Sequence, residues 1–126
     1  MTAWTSEELS KIEDADELQL ASARRGGTLR SPVTIWVVRL GDDLYVRSVN
    51  GTGTWFRGTQ DRHEARIQAG GVGKDVLLLE TDDLGDEIDA AYRTKYRRYA
   101  ASIVGSVLTP EAKAATLKLV PRSTSS

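Results

Sequence analysis

The run "VTIWVVRLGDDLYVRSV", residues 33–49, constrains the fold of this chain more than any other stretch. Apolar side chains fall on both alternating faces of residues 33–40, the pattern of a strand covered on both sides. Pro32 can start such a strand, although a proline inside it would remove a ladder donor. Gly41-Asp42-Asp43 supplies a tight turn, and "LYVRSV" returns as the antiparallel partner. The pattern predicts a hairpin whose first strand is central in a sheet. With 126 residues, 40% of them hydrophobic and 28% charged, the chain has material for one core around that hairpin. A single domain over residues 1–126 is expected, with an N-terminal helical segment over 1–15 and a frayed tail over 122–126.

The remaining elements follow from caps and periods. Thr5 and Glu8 have capping-box spacing, so a short helix is predicted over about residues 5–14, with Trp4 stapling it to the core. Leu18 and Leu20 alternate with polar neighbours as in a half-buried strand. Residues 54–63 fit a short helix. "ARIQAGG" and "KDVLLLE" form a second hairpin through Gly70, Gly71 and Gly73. Asp82 or Asp83 caps a longer helix that carries Leu84, Ile88, Tyr92, Tyr96 and Tyr99 on one stripe. A further helix follows near 100–108, broken or restarted at Pro110, and "ATLKLVP" is the closing strand. Strands first and helices later indicate an α+β fold with a mainly antiparallel sheet, open or closed into a barrel.

Several function classes are disfavoured by composition. The net charge of −1 gives no overall basic field for nucleic acid or an anionic membrane. "YRTKYRRY", residues 92–99, mixes basic and aromatic residues. Its cations follow Asp83, Asp86, Glu87 and Asp89, the order that suits a helix dipole, and its tyrosines belong to the apolar stripe as core or interface residues. The chain has no cysteine, which removes disulfides and thiolate chemistry. No metal site is predicted, since His63 is the lone histidine and the adjacent Glu64 lacks helical ligand spacing. His63 is expected at the surface or at a helix end. "MTAWTSEELSKIEDADE" lacks a basic start and an apolar run, so a cytoplasmic location is expected. "AGGVGKD" looks like a phosphate loop but has Gln68 where the first glycine belongs and Asp75 where the hydroxyl belongs. It therefore reads as a hairpin turn, with Lys74 left to face an anion on a neighbouring element.

The segment "YVRSVNGTGTWFRGTQ", residues 45–60, carries the candidate chemistry. Gly51 and Gly53 allow backbone N–H groups to converge on a ligand. Ser48, Thr52 and Thr54 offer hydroxyls, and Arg47 and Arg57 offer planar forks suited to phosphate or carboxylate. Trp55 would cover a ring or close a pocket floor. The same residues also suit a plain strand-to-helix connection in which Trp55 and Phe56 anchor the core.

"PVTIWVVRLGDDLYVRSVNGTGTWFRGTQDRHEARIQAGG" closely resembles a bacterial family known as a domain of unknown function (2255). The similarity runs from "DELQLASARR" to "ATLKLVPR". That family resembles, more distantly, the flavin-binding split barrels: pyridoxamine-phosphate oxidase-like proteins and deazaflavin-dependent nitroreductases. The resemblance implies a mainly antiparallel split β-barrel with flanking helices, FMN-binding-like, and a homodimer with cofactor sites between subunits. It implies FMN or deazaflavin as cofactor and oxidoreductase chemistry. Arg47, Ser48, Thr54, Trp55 and Arg57 would form the cofactor-binding segment. The alternative is a cofactor-free barrel that binds a small anionic metabolite or a protein partner, since fold does not fix function.

Overall fold

The computed structural model describes residues 4–23, 26, 28–47, 63–81 and 84–121. In chain order it has α1 (Ser6–Asp14), β1 (Leu18–Ser22), β2 (Val33–Ile35), β3 (Val37–Leu40), β4 (Asp43–Arg47), β5 (Glu64–Ala69) and β6 (Val72–Glu80), followed by α2 (Gly85–Lys95), α3 (Ala101–Gly105), α4 (Pro110–Ala114) and β7 (Thr116–Pro121). The strands form one antiparallel sheet in the order β2-β1-β5-β6-β7-β4-β3. Both predicted hairpins are present. In one, Leu40 faces Asp43 across the Gly41 turn; in the other, Ala69 faces Val72 across Gly70 and Gly71.

One expectation is corrected. The run 33–40 is not a central strand: it supplies both edges of the sheet, β2 pairing with β1 and β3 with β4. Only Trp36 separates the two pieces. A sheet whose opposite edges are consecutive parts of one strand must curl until the edges meet. The result is an α+β split barrel with Trp36 at its seam. Both faces carry apolar residues because Val33, Ile35 and Val37 face the barrel core while Trp36, Val38 and Leu40 pack with the helical segment.

The barrel interior follows the period of two along each strand. Leu18, Leu20, Val46, Ile67, Val76, Leu78, Leu117 and Leu119 point inward and are fully buried. One end of the barrel carries the two glycine turns, and α1 packs there with Leu9, Ile12 and Trp4 in the same apolar cluster. The predicted capping box is formed: Glu8 N–H donates to Thr5 Oγ1 and Thr5 N–H to Glu8 Oε1. Trp4 Nε1 donates to the Leu119 carbonyl at 3.0 Å. Lys74 does face an anion on a neighbouring element, pairing with Glu8 Oε2 at 2.9 Å.

Gly70 is where α1 and the barrel come closest. Its φ is +57°, and a Cβ there would lie well inside van der Waals contact with the Lys11 carbonyl. Gly71, with φ +87°, has open space around it. Gly70→Ala is therefore expected to lose about 2–4 kcal/mol, the backbone penalty plus displacement of α1. Gly71→Ala should lose about 1–2 kcal/mol from the backbone penalty alone. Urea unfolding of the two variants measures the difference; equal midpoints would mean that α1 yields freely.

The outer face of β3 and β4 is covered by the helical segment. Val38 and Tyr45 pack with Ile88, Tyr92, Tyr96, Val104 and Val107 in a second apolar cluster. Ile88, Tyr92 and Tyr96 of the predicted stripe are buried within the chain's own core, so they are not available to a partner. The start of α2 also differs from expectation. Its N-cap is Leu84, which makes no side-chain capping bond, and Asp82 and Asp83 lie outside the described residues. The predicted helix near 100–108 is shorter, ending at Gly105. Pro110 does restart the chain as α4, behind a Thr109 cap that accepts from Ala112 N–H.

At the seam, Val37 turns its backbone away from the β4 ladder, and α2 supplies the missing partners. Val37 N–H donates to Tyr96 Oη at 3.2 Å, and its carbonyl accepts from Lys95 Nζ at 2.7 Å. Tyr96 Oη donates in turn to the Asp16 carbonyl at 2.7 Å. Trp36 stacks on the Tyr96 ring, with centroids 3.9 Å apart and planes 5° from parallel.

Candidate functional site

The antiparallel register puts the end of β1, the start of β5, the end of β6, the start of β7 and the end of β4 at the barrel end away from α1. The chain leaves this end after Arg47 and returns to it at His63. Ser48, Thr54, Trp55 and Arg57 lie in that connection and outside the described residues, as does all of the helix predicted over 54–63 except His63. His63 is exposed, as expected of a surface residue, and its carbonyl accepts from Leu78 N–H at 2.9 Å.

Arg47 is described, and its surroundings differ from those of a ligand-facing side chain. It lies on the outward face of β4, opposite Thr116 of β7, where the helices cover the sheet. Its side chain is fully buried and forms an ion pair with Asp89 of α2, Nη1 to Oδ1, at 2.5 Å. Nε donates to Thr116 Oγ1 at 2.9 Å, Nη1 also to the Val107 carbonyl at 2.8 Å, and Nη2 to the Gly85 carbonyl at 3.2 Å. One guanidinium thus ties two strands, the first turn of α2 and the segment after α3. A buried charge of this kind needs both an opposite charge and satisfied donors, and Arg47 has them. What Arg47 provides to the connection is a fixed root for residue 48.

Sequence reasoning missed three residues here. Asp89 was assigned only to the helix dipole, yet it sits between Ile88 and Tyr92 on the buried stripe, and a carboxylate placed there needs a cation. Thr116 carries no sequence signal of its own. Ser22, the last residue of β1, is 1% exposed and faces inward beside Ala65, its cross-strand partner. Its hydroxyl has no hydrogen-bond partner among the described residues. An orphaned buried hydroxyl is uncommon and invites a ligand atom or an ordered water. Among the described residues no three His, Asp or Glu side chains gather as a metal site, and no helix is long and apolar enough to cross a membrane.

The solved structures similar to this chain share its barrel. The heme storage protein HutZ from Vibrio cholerae superposes with a TM-score of 0.65 at 12% identity, over 98% of this chain and 92% of that one. An FAD-binding protein from Mesorhizobium loti gives 0.59 at 17% identity, over 96% and 92%. An F420 reductase gives 0.57 at 17% identity, over 92% of each chain. At such identities the likeness establishes the fold alone, the split barrel. No curated protein sequence matches the chain. The profile of the family described as "Uncharacterized protein conserved in bacteria (DUF2255)" matches residues 8–119, from within α1 to within β7, and the chain belongs to that family.

Proposed function

We propose that this protein binds FMN or a deazaflavin at the barrel end opposite α1 and acts as a flavin- or deazaflavin-dependent oxidoreductase. The observation that carries this reading is the buried Ser22 hydroxyl, without a hydrogen-bond partner among the described residues, at the strand ends that flank the 48–62 connection. The shared fold of an F420 reductase and an FAD-binding protein supports it. The cofactor would supply the hydride chemistry, while the chain binds and orients it. In this reading Arg57 pairs with the cofactor phosphate or carboxylate, Ser48 and Thr54 donate hydroxyls, and Trp55 covers the ring system. Arg47 holds the base of the segment in place. We further propose a cytoplasmic homodimer without nucleic-acid or membrane partners. Gln19, Arg66, Gln68 and Leu79 leave an exposed outer face on β1, β5 and β6, and Leu79 is 45% exposed, a surface suited to a second copy.

Titrating the purified protein with FMN and with F420, followed by absorbance and fluorescence, tests the cofactor. Saturable uptake of one of them is expected. A charge-assisted contact to phosphate contributes about 1.5–3 kcal/mol, so Arg57→Ala should weaken binding by roughly tenfold to a hundredfold with an unchanged melt. A colourless protein that takes up neither cofactor would overturn this reading in favour of a cofactor-free barrel for a small anion or a protein partner. Light scattering at micromolar concentration tests the dimer, and a monomer mass would remove it.

A further inference from the structure

A groove of about 500 Å³ runs along the outer surface between α1, β3 and α2. Val38, Leu40 and Ala91 give it an apolar floor, and two acids, Glu13 and Glu87, balance two bases, Arg39 and Lys95. Arg39 is already committed, to Glu13 at 3.1 Å and to the Gly41 carbonyl at 2.8 Å.

Lys95 is held differently. Its Nζ donates to the Val37 carbonyl and lies 5.3 Å from the Tyr96 ring centroid, and no carboxylate among the described residues forms an ion pair with it. The Val37 carbonyl is its hydrogen-bond acceptor among the described residues, and a half-buried ammonium without a carboxylate partner there gives up its proton to become a nucleophile more readily than an exposed one. Burial draws its pKa down to about 8, against the attraction of Asp16, Glu13 and Asp14 and with the repulsion of Arg98. The exposed Lys11 instead pairs with Glu7.

We propose that this groove is a second site, one that takes short, neutral aliphatic aldehydes and in which Lys95 is the amine that captures them. The ligand is neutral because the charges of the lining balance, and it is short and apolar because the floor is. The Lys95 amine adds to the aldehyde carbon, and the adduct loses water to give an imine. The carbonyl C–O bond is replaced by C–N, and no electrons are transferred. The protonated imine keeps one N–H, which continues to donate to the Val37 carbonyl.

The test uses the wild-type protein with butanal and cyanoborohydride at neutral pH, and peptide mass spectrometry to follow each lysine. The gain in neutral amine outweighs its lower intrinsic nucleophilicity, so Lys95 should be alkylated about tenfold faster than Lys11 or Lys118. Ala90→Leu, at an exposed position of α2 that lines the groove, should slow Lys95 toward the rate of the other two and leave those unchanged. Alkylation of Lys95 no faster than that of Lys11 and Lys118 would overturn the proposal. So would a fast Lys95 whose rate ignores Ala90→Leu, since the groove would then play no part. Neither outcome depends on whether the protein binds a flavin.

Discussion

Arg47→Ala is expected to lose about 3–5 kcal/mol of folding stability, because it takes away the guanidinium that is paired with the buried Asp89 carboxylate and bonded to Thr116, Val107 and Gly85. Asp89 is 5% exposed and cannot turn to water without opening the contact between α2 and the barrel. The carbonyls of Val107 and Gly85 lose a donor at the same time. Against the roughly 5–15 kcal/mol typical of a domain, that is a large share of the folding free energy. Replacing both partners, Arg47→Met with Asp89→Leu, should recover much of the loss, since two apolar side chains carry no desolvation penalty. Urea unfolding of the three proteins decides the matter. A wild-type midpoint for Arg47→Ala would mean that the pair contributes little and that the guanidinium is available to a ligand after all.

Trp36→Ala is the second large effect, about 3 kcal/mol, toward the lower end for a large aromatic because the side chain is only half-buried. The loss arises where the sheet edges meet: the indole covers the Tyr96 ring and leans on Tyr99. Tyr96→Phe keeps the stack and removes the hydroxyl that accepts from Val37 N–H, which should cost about 1–2 kcal/mol. A double-mutant cycle with Trp36→Ala and Tyr96→Ala should show a coupling of about 1 kcal/mol. A coupling near zero would mean that the rings touch without holding the seam.

What could be read from the sequence was local. The hairpin at Gly41, the turn at Gly70 and Gly71, the Thr5–Glu8 capping box and the stripe on α2 each depend on residues a few positions apart, where period and turn chemistry act directly. The seam could not be read this way. Nothing in "VTIWVVRL" marks Trp36 as the point where one strand leaves β1 and joins β4, because the change of partner is made by the sheet as a whole. Arg47 shows the same limit. An arginine at a strand end beside a glycine-rich segment has one sequence signature whether it faces a phosphate or a carboxylate from a distant helix. Asp89 is 42 residues away, and only tertiary packing brings the two together. The tyrosines were legible as an apolar stripe, but whether a stripe faces its own core or another molecule depends on what the barrel leaves uncovered.

The placement of β7 has a consequence for how the protein is made. Six strands leave the ribosome before it, yet β7 lies between β6 and β4. Until residues 116–121 emerge, the nascent chain has two separate pieces of sheet, one ending at β6 and the other at β4, each with a bare row of N–H and C=O groups. Thr116, which holds Arg47, is missing over the same interval. Strand pairing cannot finish until β7 emerges; it waits for a single late insertion that joins both pieces and completes the Arg47 cluster in one step. The interval before that insertion is when an incomplete chain is most exposed to pairing with a neighbour, and when a chaperone that shields sheet edges would have most to protect.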